Sequence, residues 1–452
     1  MPFTHLELNP ALLKAIKELG WARPTAIQAE AIPPAMEGRD VMACAQTGSG
    51  KTAAFLLPII NRLIDRPRRT TKALVLAPTR ELAAQIVQDL DALAVHTPVT
   101  GAAVYGGVGM GPQEHAFRSG VDIIVATPGR LVDHMRSPYA RFNNLEHLVL
   151  DEADRMLDMG FLPEIRRIIA RLPAKRQTLF FSATMPQPIA VLARDMLRDP
   201  VSIQAQRQSA PPTGITQAVY PVTQDLKSAL IVHLLKEKTM TQALIFTRTK
   251  HRANRLADFL VRSGIKAERI HGNRSQAQRT AALAGFKAGM FPVLVATDIA
   301  ARGIDVDALG HVVNFDVPQA PEDYIHRVGR TGRAELTGEA FTFVSPDEEN
   351  DLRDIERAVG RRLPRITVPD FDYTARPQAK LEIPLAQRIA EIRARKRDER
   401  GRAQVNAARR AAAQRKPGQP LPTSAPDGAP YRRRGQGPRR PRSGSWGPRG
   451  RR

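Results

Sequence analysis

Cysteine is almost absent: Cys44 is the only one in 452 residues. No disulfide can form within the chain, and that usage fits a reducing compartment. Long hydrophobic runs are also missing. The longest, around "AAFLLPII", falls far short of the roughly 18 residues that a membrane span needs. The opening "MPFTHLELNP" has neither a basic n-region nor an apolar h-region, so no secretion signal is expected. These absences predict a soluble, cytoplasmic protein. Acidic residues are the scarcer charged class, with 45 Asp and Glu against 68 Lys and Arg, a net charge of +23. The excess is concentrated: residues 376–452 hold about 22 basic and about 5 acidic residues, leaving only about +6 for the rest. A nearly balanced body with a basic tail implies a polyanionic partner, either nucleic acid or an anionic membrane. The tail has no apolar face, which disfavours the membrane.

What is present is a repeated pattern. Short apolar, β-branched runs end in small or polar residues and are followed by helical stretches. In the first half these runs cover 40–45, 73–78, 122–128, 147–153 and 178–184. Runs that are apolar throughout suit strands buried on both faces of a parallel sheet, and stretches such as "RELAAQIVQDLDALA" suit crossover helices. The segment "QRQSAPPTGITQ", rich in Pro, Ser and Gln, breaks the pattern as a linker. Strand-like runs then restart at 243–249, 266–272, 293–298, 311–317 and 340–345. The fold class is therefore α/β, with two tandem parallel-sheet domains at 1–207 and 217–369, a linker at 208–216 and a basic tail at 370–452. Within that tail, residues 385–416 could form a basic helix. From Pro417 onward, Pro, Gly, Ser and Arg dominate, with too few apolar groups to offset ordering entropy, so disorder is expected.

"ACAQTGSGKT" lies between a strand-like run and the helical "KTAAFLLPIINRLI". Backbone N–H groups of such a loop can cradle phosphates. Lys51 would reach the β- and γ-phosphates and Thr52 would ligate Mg²⁺, with Gly48, Ser49 and Gly50 lining the closest approach. This predicts a bound nucleoside triphosphate and nothing more. The run "HLVL" ends in Asp151 and Glu152. Asp151 would hold Mg²⁺ through water, and Glu152 would orient and deprotonate an attacking water. Taken alone, these acids would equally suit a helix N-terminus. "HRVGRTGR" spaces arginines among glycines. Facing the phosphate loop across a cleft, Arg330 and Arg333 could act as arginine fingers; taken alone, the stretch could be a solvated basic turn.

Together with "PTRELAAQ", "TPGR", "SAT" and "VATDIAARGIDV", these stretches occur in the order found in the DEAD-box ATP-dependent RNA helicases. The resemblance covers about residues 1–370. The compact core and basic tail look most like the bacterial RhlE-type subgroup. The family uses an Ala where the general phosphate-loop pattern asks for Gly at Ala45. Ala45 then needs no positive φ, and the left-handed geometry falls to Gly48 and Gly50.

The resemblance implies two RecA-like domains that use ATP and Mg²⁺. "GWARPTAIQ" is similar to the family's adenine-reading segment. Phe3 would stack on adenine, Gln28 would bond its Hoogsteen edge, and Pro24 and Thr25 would shape that pocket and touch the phosphate loop. Trp21 is expected to serve in packing. Ser182 and Thr184 would couple nucleotide state to domain closure, and Asp305 would contact the nucleotide from the second domain. RNA backbone would lie on Thr79, Arg80, Gly107, Thr127 and Arg130, and on Gly272, Thr297 and Asp298 from the second domain. These groups suit phosphates and 2′-hydroxyls rather than base edges, so binding is expected to be independent of sequence. Cys44 and His271 carry no expected chemistry. The implied activity is RNA-stimulated ATP hydrolysis coupled to short, non-processive unwinding. An ATP-gated RNA clamp, an annealing chaperone led by the tail and a DNA helicase of the same superfamily are the alternatives. RNA is the expected partner, and a nuclease or a ribosomal particle are candidate protein partners.

Overall fold

Strand formation follows from burial on both sides. The computed structural model describes residues 2–45, 48–204, 214–237, 240, 242–301, 309–332 and 338–375. In its first lobe, seven parallel strands run β1 (Val41–Cys44), β2 (Ala73–Leu76), β3 (Gly101–Val104), β4 (Ile123–Ala126), β5 (His147–Leu150), β6 (Gln177–Ser182) and β7 (Val201–Gln204). Alternate side chains of one strand enter opposite cores: Ala73 and Val75 join Phe55, Ile59 and Phe181 on one face. Leu74 and Leu76 join Leu148, Phe180 and Ile165 on the other. A strand with apolar residues at every position is what such a two-sided core requires. Strand β3, with its sequence GAAV, is only half-buried over three of its four residues, and that weak pattern is why the sequence does not announce it.

Strand order decides where the motifs meet. The first sheet runs β3-β4-β2-β5-β6-β1-β7. The loops after β1, β5 and β6, which carry "TGSGKT", "DEAD" and "SAT", therefore open side by side at one half of the carboxyl edge. The loops after β2, β3 and β4 open at the other half. Ligands of doubly wound sheets bind along this edge.

The second lobe repeats the design with β8 (Ile215–Pro221), β9 (Ala243–Phe246), β10 (Ala267–Ile270), β11 (Val293–Ala296), β12 (His311–Asn314) and β13 (Gly338–Val344), in the order β10-β11-β9-β12-β13-β8. Strand β8 corrects the expected linker, because it begins at Ile215 and pairs in parallel with β13 from Ile215↔Gly338 to Pro221↔Val344. Pairing with a distant strand is invisible to local composition. Packing also continues past the expected boundary at 369. The ring of Phe371 meets His233 edge-on at 5.7 Å, and Val368 N–H donates to the Tyr373 hydroxyl at 3.0 Å. The expected basic helix and the low-complexity stretch lie outside the described residues. Among the described residues, no helix is long and apolar enough to cross a membrane.

Candidate nucleotide and nucleic-acid site

The phosphate loop is built by two glycines in the left-handed region. Gly48 has φ +83° and Gly50 has φ +93°, and Gly50 caps the helix Lys51–Leu63. Ala45 is absent from the positive-φ residues, is buried, and donates its N–H to Ser182 O at 2.9 Å. Lys51 is buried, and its Nζ donates to Ala45 O at 3.0 Å, so the ammonium already spans the loop. Thr52 is half-buried in the first turn of the helix. Gln46 and Thr47 lie outside the described residues.

The segment around Gln28 is bolted onto this loop. Thr25 caps the helix Ala26–Met36, and Gln28 Oε1 accepts from Thr25 N–H at 3.0 Å. Gln28 Nε2 donates to Gly50 O at 3.1 Å. A Cβ on Gly50 would lie 2.5 Å from that Nε2 and 2.9 Å from Thr25 Oγ1, so only glycine permits the approach. The aromatic pair behaves differently from expectation. Phe3 is 4% exposed and sits in the core with Leu6 and Ile16, whereas Trp21 is 38% exposed. The rings stack at 6.4 Å. The ring with an open side is thus Trp21, and Phe3 takes the packing role, because the short 3-10 turn Phe3–Leu6 points its apolar residues inward.

Asp151 and Glu152 follow β5 and are almost wholly buried. Burial raises the Asp151 pKa above the usual carboxylate range, with Lys51 opposing and Glu152 reinforcing the rise. Asp151 Oδ1 has no hydrogen-bond partner. Glu152 adopts φ +52°, ψ +52° at the head of the helix Ala153–Asp158, a left-handed geometry that costs a non-glycine residue about 1 kcal/mol or more. Burial would push its pKa up, but Arg155, Lys51 and Arg330 hold it below the usual range. Arg155 pairs with it at 3.0 Å, both side chains being buried. Asp154 then latches the loop after β6: its Oδ2 accepts from Thr184 N–H at 2.7 Å and from Thr184 Oγ1 at 2.9 Å. Ser182 Oγ donates to Thr184 O at 2.7 Å and accepts from Asp154 N–H at 3.2 Å. The two motifs therefore form one rigid unit. Beside it, Cys44 Sγ donates to Ala183 O at 3.3 Å.

The second lobe reaches this unit. Arg155 from the first lobe lines a cleft with Phe246, Asp298, Asp323, His326, Arg327 and Arg330 from the second. His326 is driven down to about 3 by burial and by Arg155, against Asp154 and Glu152, so its ring is neutral at pH 7. Arg330 is buried and acts electrostatically on Glu152. Arg333 and Asp305 lie outside the described residues.

At the other half of the edge, Arg80, Gly107 and Arg130 converge on the loop after β3. Gly107 has φ +87°, and a Cβ there would run into the Arg80 guanidinium. Arg130 Nη1 donates to Val108 O at 3.0 Å. Thr79 and Thr127 sit nearby as helix N-caps on neighbouring strands, both buried, with Thr79 Oγ1 taken up by Leu82 N–H at 3.2 Å. Gly272 stands in open space after β10, and Thr297 N–H bonds Ile270 O at 3.3 Å. Asp298 departs from expectation. Its two oxygens accept from Arg327 Nε at 2.6 Å and Nη2 at 2.8 Å, so the carboxylate is committed within the lobe rather than offered to a phosphate backbone. His271 is structural: Nδ1 accepts from Asn273 N–H at 3.3 Å, which leaves Nε2 to donate to Asn254 Oδ1 at 2.9 Å.

Three contributions escape sequence reading. Glu81 accepts from Gln276 Nε2 at 3.0 Å and pairs with Arg279 at 2.9 Å, which pins the two lobes together. Arg155 grips Glu152, and His326 faces it. Glu81 and His326 lie inside the motifs "PTRELAAQ" and "HRVGRTGR" and Arg155 directly follows "DEAD", but only their tertiary neighbours mark them out.

Comparison with known proteins agrees with this arrangement. Residues 25–192 match the DEAD/DEAH box helicase family and residues 226–335 match the helicase conserved C-terminal domain. The chain is 42% identical over 379 residues to the DEAD-box ATP-dependent RNA helicase CshA of Bacillus cereus, covering 84% of this chain and 72% of that one. It is 42% identical over 381 residues to the CshA of Bacillus subtilis, covering 84% and 77%. It also resembles S. cerevisiae Dbp5 bound to RNA and ADP BeF3, with a TM-score of 0.75, 30% identity and coverage of 82% and 96%. The expected RhlE-type assignment is not supported: these relatives are CshA helicases, a different subgroup, and a short core with a basic tail is too generic to separate subgroups. With two parallel sheets, a phosphate loop beside a DEAD motif, and a second lobe that reaches both, the chain belongs to the DEAD-box ATP-dependent RNA helicase family.

Proposed function

We propose that the chain hydrolyses ATP between its lobes and couples the cycle to local, non-processive separation of RNA strands and remodelling of RNA–protein particles. The observation that carries this reading is the composite site: Arg155 of the first lobe, paired with the buried Glu152, lines one cleft with His326 and Arg330 of the second. A site built from both lobes is complete only when they are together, so chemistry and lobe movement become one process.

Lys51 and the backbone N–H groups of Gly48, Ser49 and Gly50 would hold the phosphates. Gln28 keeps one N–H and one lone pair unused, enough for the Hoogsteen edge of adenine. Trp21 would supply the stacking face, with Phe3 behind it. The partnerless Asp151 Oδ1 and the Thr52 hydroxyl fit a hydrated Mg²⁺, which would neutralise phosphate charge. Glu152, kept ionised by its cationic neighbours, would orient the attacking water and take its proton. Arg330 and Arg333 would stabilise the γ-phosphate charge, and Asp305 would contact the nucleotide. The latch from Asp154 to Ser182 and Thr184 would pass nucleotide state to the lobe interface. RNA backbone would lie on Thr79, Arg80, Gly107, Thr127 and Arg130, and on Gly272 and Thr297.

ATP turnover with and without RNA tests the reading. RNA should raise turnover, and Lys51→Ala and Glu152→Gln should each lower it by about 100-fold or more. Turnover indifferent to RNA, or intact in both variants, overturns it. Matched RNA and DNA duplexes separate an RNA helicase from a DNA helicase.

A further inference from the structure

The loop after β3 (105–110) contains Gly106, Gly107 and Gly109, so its own side chains cannot hold its shape. A buried polar chain holds it from below. Gln113, in the first turn of the helix Gly111–Ser119, donates from Nε2 to Tyr105 O at 3.0 Å and to Gly109 O at 3.4 Å, spanning the loop from end to end. With its amide N–H groups on carbonyls, its Oε1 must accept, and it does so from His134 Nε2 at 3.1 Å. His134 is wholly buried, and its other nitrogen, Nδ1, lies 3.0 Å from the Tyr139 hydroxyl. The assignment is then directional: Tyr139 O–H donates to Nδ1, Nε2–H donates to Gln113, and Gln113 donates to the loop. Burial and the nearby Arg130 lower the His134 pKa, which keeps the neutral ring this chain needs. Phe117 packs against His134 at 5.2 Å and fixes the ring.

Arg130 and His134 stand one turn apart on the helix Pro128–His134. That helix therefore grips the loop twice, directly through Arg130 to Val108 O and indirectly through His134 and Gln113. Arg80 lies against Gly106 and Gly107 on the same loop.

We propose that Gln113, oriented by His134 and Tyr139, is a positioning residue that holds the 105–110 loop in the shape that presents Gly107, Arg80 and Arg130 to an RNA backbone, and so sets RNA affinity independently of ATP. The inference rests on the RNA-dependent ATPase reading above.

The test uses the full chain. Gln113→Glu keeps the side-chain shape but sets carboxylate oxygens against Tyr105 O and Gly109 O. Tyr139→Phe keeps the ring and removes only the first donor. Binding of a fluorescent single-stranded RNA is measured by anisotropy with a non-hydrolysable ATP analogue. ATP turnover is measured against both RNA and ATP concentration, and thermal melting serves as the control for folding. Losing the amide hydrogen bonds should raise the RNA dissociation constant and the RNA concentration for half-maximal turnover about ten-fold in Gln113→Glu, and about two- to three-fold in Tyr139→Phe. The KM for ATP and turnover at saturating RNA should stay within about two-fold. Unchanged RNA binding in both variants overturns the proposal, as does an equal rise in the KM for ATP. Should Gln113→Glu fail to fold, Tyr139→Phe decides alone. Wild-type turnover indifferent to RNA would instead overturn the helicase reading itself.

Discussion

His147 shows how one buried group converts acidity into instability. It starts β5, is 2% exposed, and bonds Gln177 Oε1 at 2.9 Å through Nδ1. Burial lowers its pKa from 6.5 to about 4. The unfolded chain therefore binds this proton more readily, and the sign follows: the contribution is full above about pH 6.5 and is lost as pH falls toward 4. The full shift corresponds to about 3 kcal/mol at most. Urea denaturation between pH 7 and 4.5 should show this loss, and His147→Gln should flatten the slope across that window. Residues such as this one, Asp298 and Trp21 were poorly legible beforehand. Their types are visible in sequence, but whether a ring is covered or a carboxylate already paired depends on neighbours from distant segments.

At the scale of elements, the helix Lys227–Lys236 is stapled to its sheet by a charge. Lys227 is wholly buried, pairs with Glu348, and donates from Nζ to Phe315 O at 2.9 Å and to Phe343 O at 2.9 Å. It thus ties the carboxyl ends of β12 and β13 to the helix that precedes β9. Lys227→Met should destabilise the second lobe by about 3 kcal/mol, because Glu348 is left buried without its ammonium. Adding Glu348→Gln should recover part of that loss; denaturant titration that separates the two lobes' transitions measures both. The elements themselves were largely readable. Most of the strands fall on apolar runs, since strands buried on both faces cannot conceal their pattern; β10 (AERI) is half-buried and stands out less. Strands β3, β7 and β8 leave little trace in sequence because their residues are small, partly exposed or embedded in linker-like composition.

At the scale of the whole molecule, two features bear on the proposed RNA engagement. The contact of Glu81 with Gln276 and Arg279 joins the lobes far from the phosphate loop in sequence. Glu81→Gln removes the charge that compensates the buried Arg279 and should weaken lobe closure. Fluorescence energy transfer between labels on the two lobes should show a smaller closed fraction with RNA and an ATP analogue, by about five-fold or more. The basic segment would offer a separate, electrostatic contribution. Deleting residues 377–452 should lower RNA affinity and reduce its dependence on salt, while RNA-free ATP turnover persists. Unchanged salt dependence would remove the tail from the binding surface.

The motif set, the α/β class, the glycines of the phosphate loop and the basic excess at one end are all written in the order of residues. Those properties are local, carried by residue type and short-range periodicity. Which motifs become neighbours follows instead from the lateral order of the strands. The order β3-β4-β2-β5-β6-β1-β7 sets Asp151 beside Lys51 although 100 residues separate them, and sends the Arg80, Gly107 and Arg130 group to the opposite half of the edge. Tertiary packing also decided that Phe3 is covered and Trp21 open, that Asp298 is spent on Arg327, and that Glu81 bridges the lobes. The lateral order of strands and the choice of ion partner minimise unpaired buried groups over the whole fold, and no window of neighbouring residues contains that information.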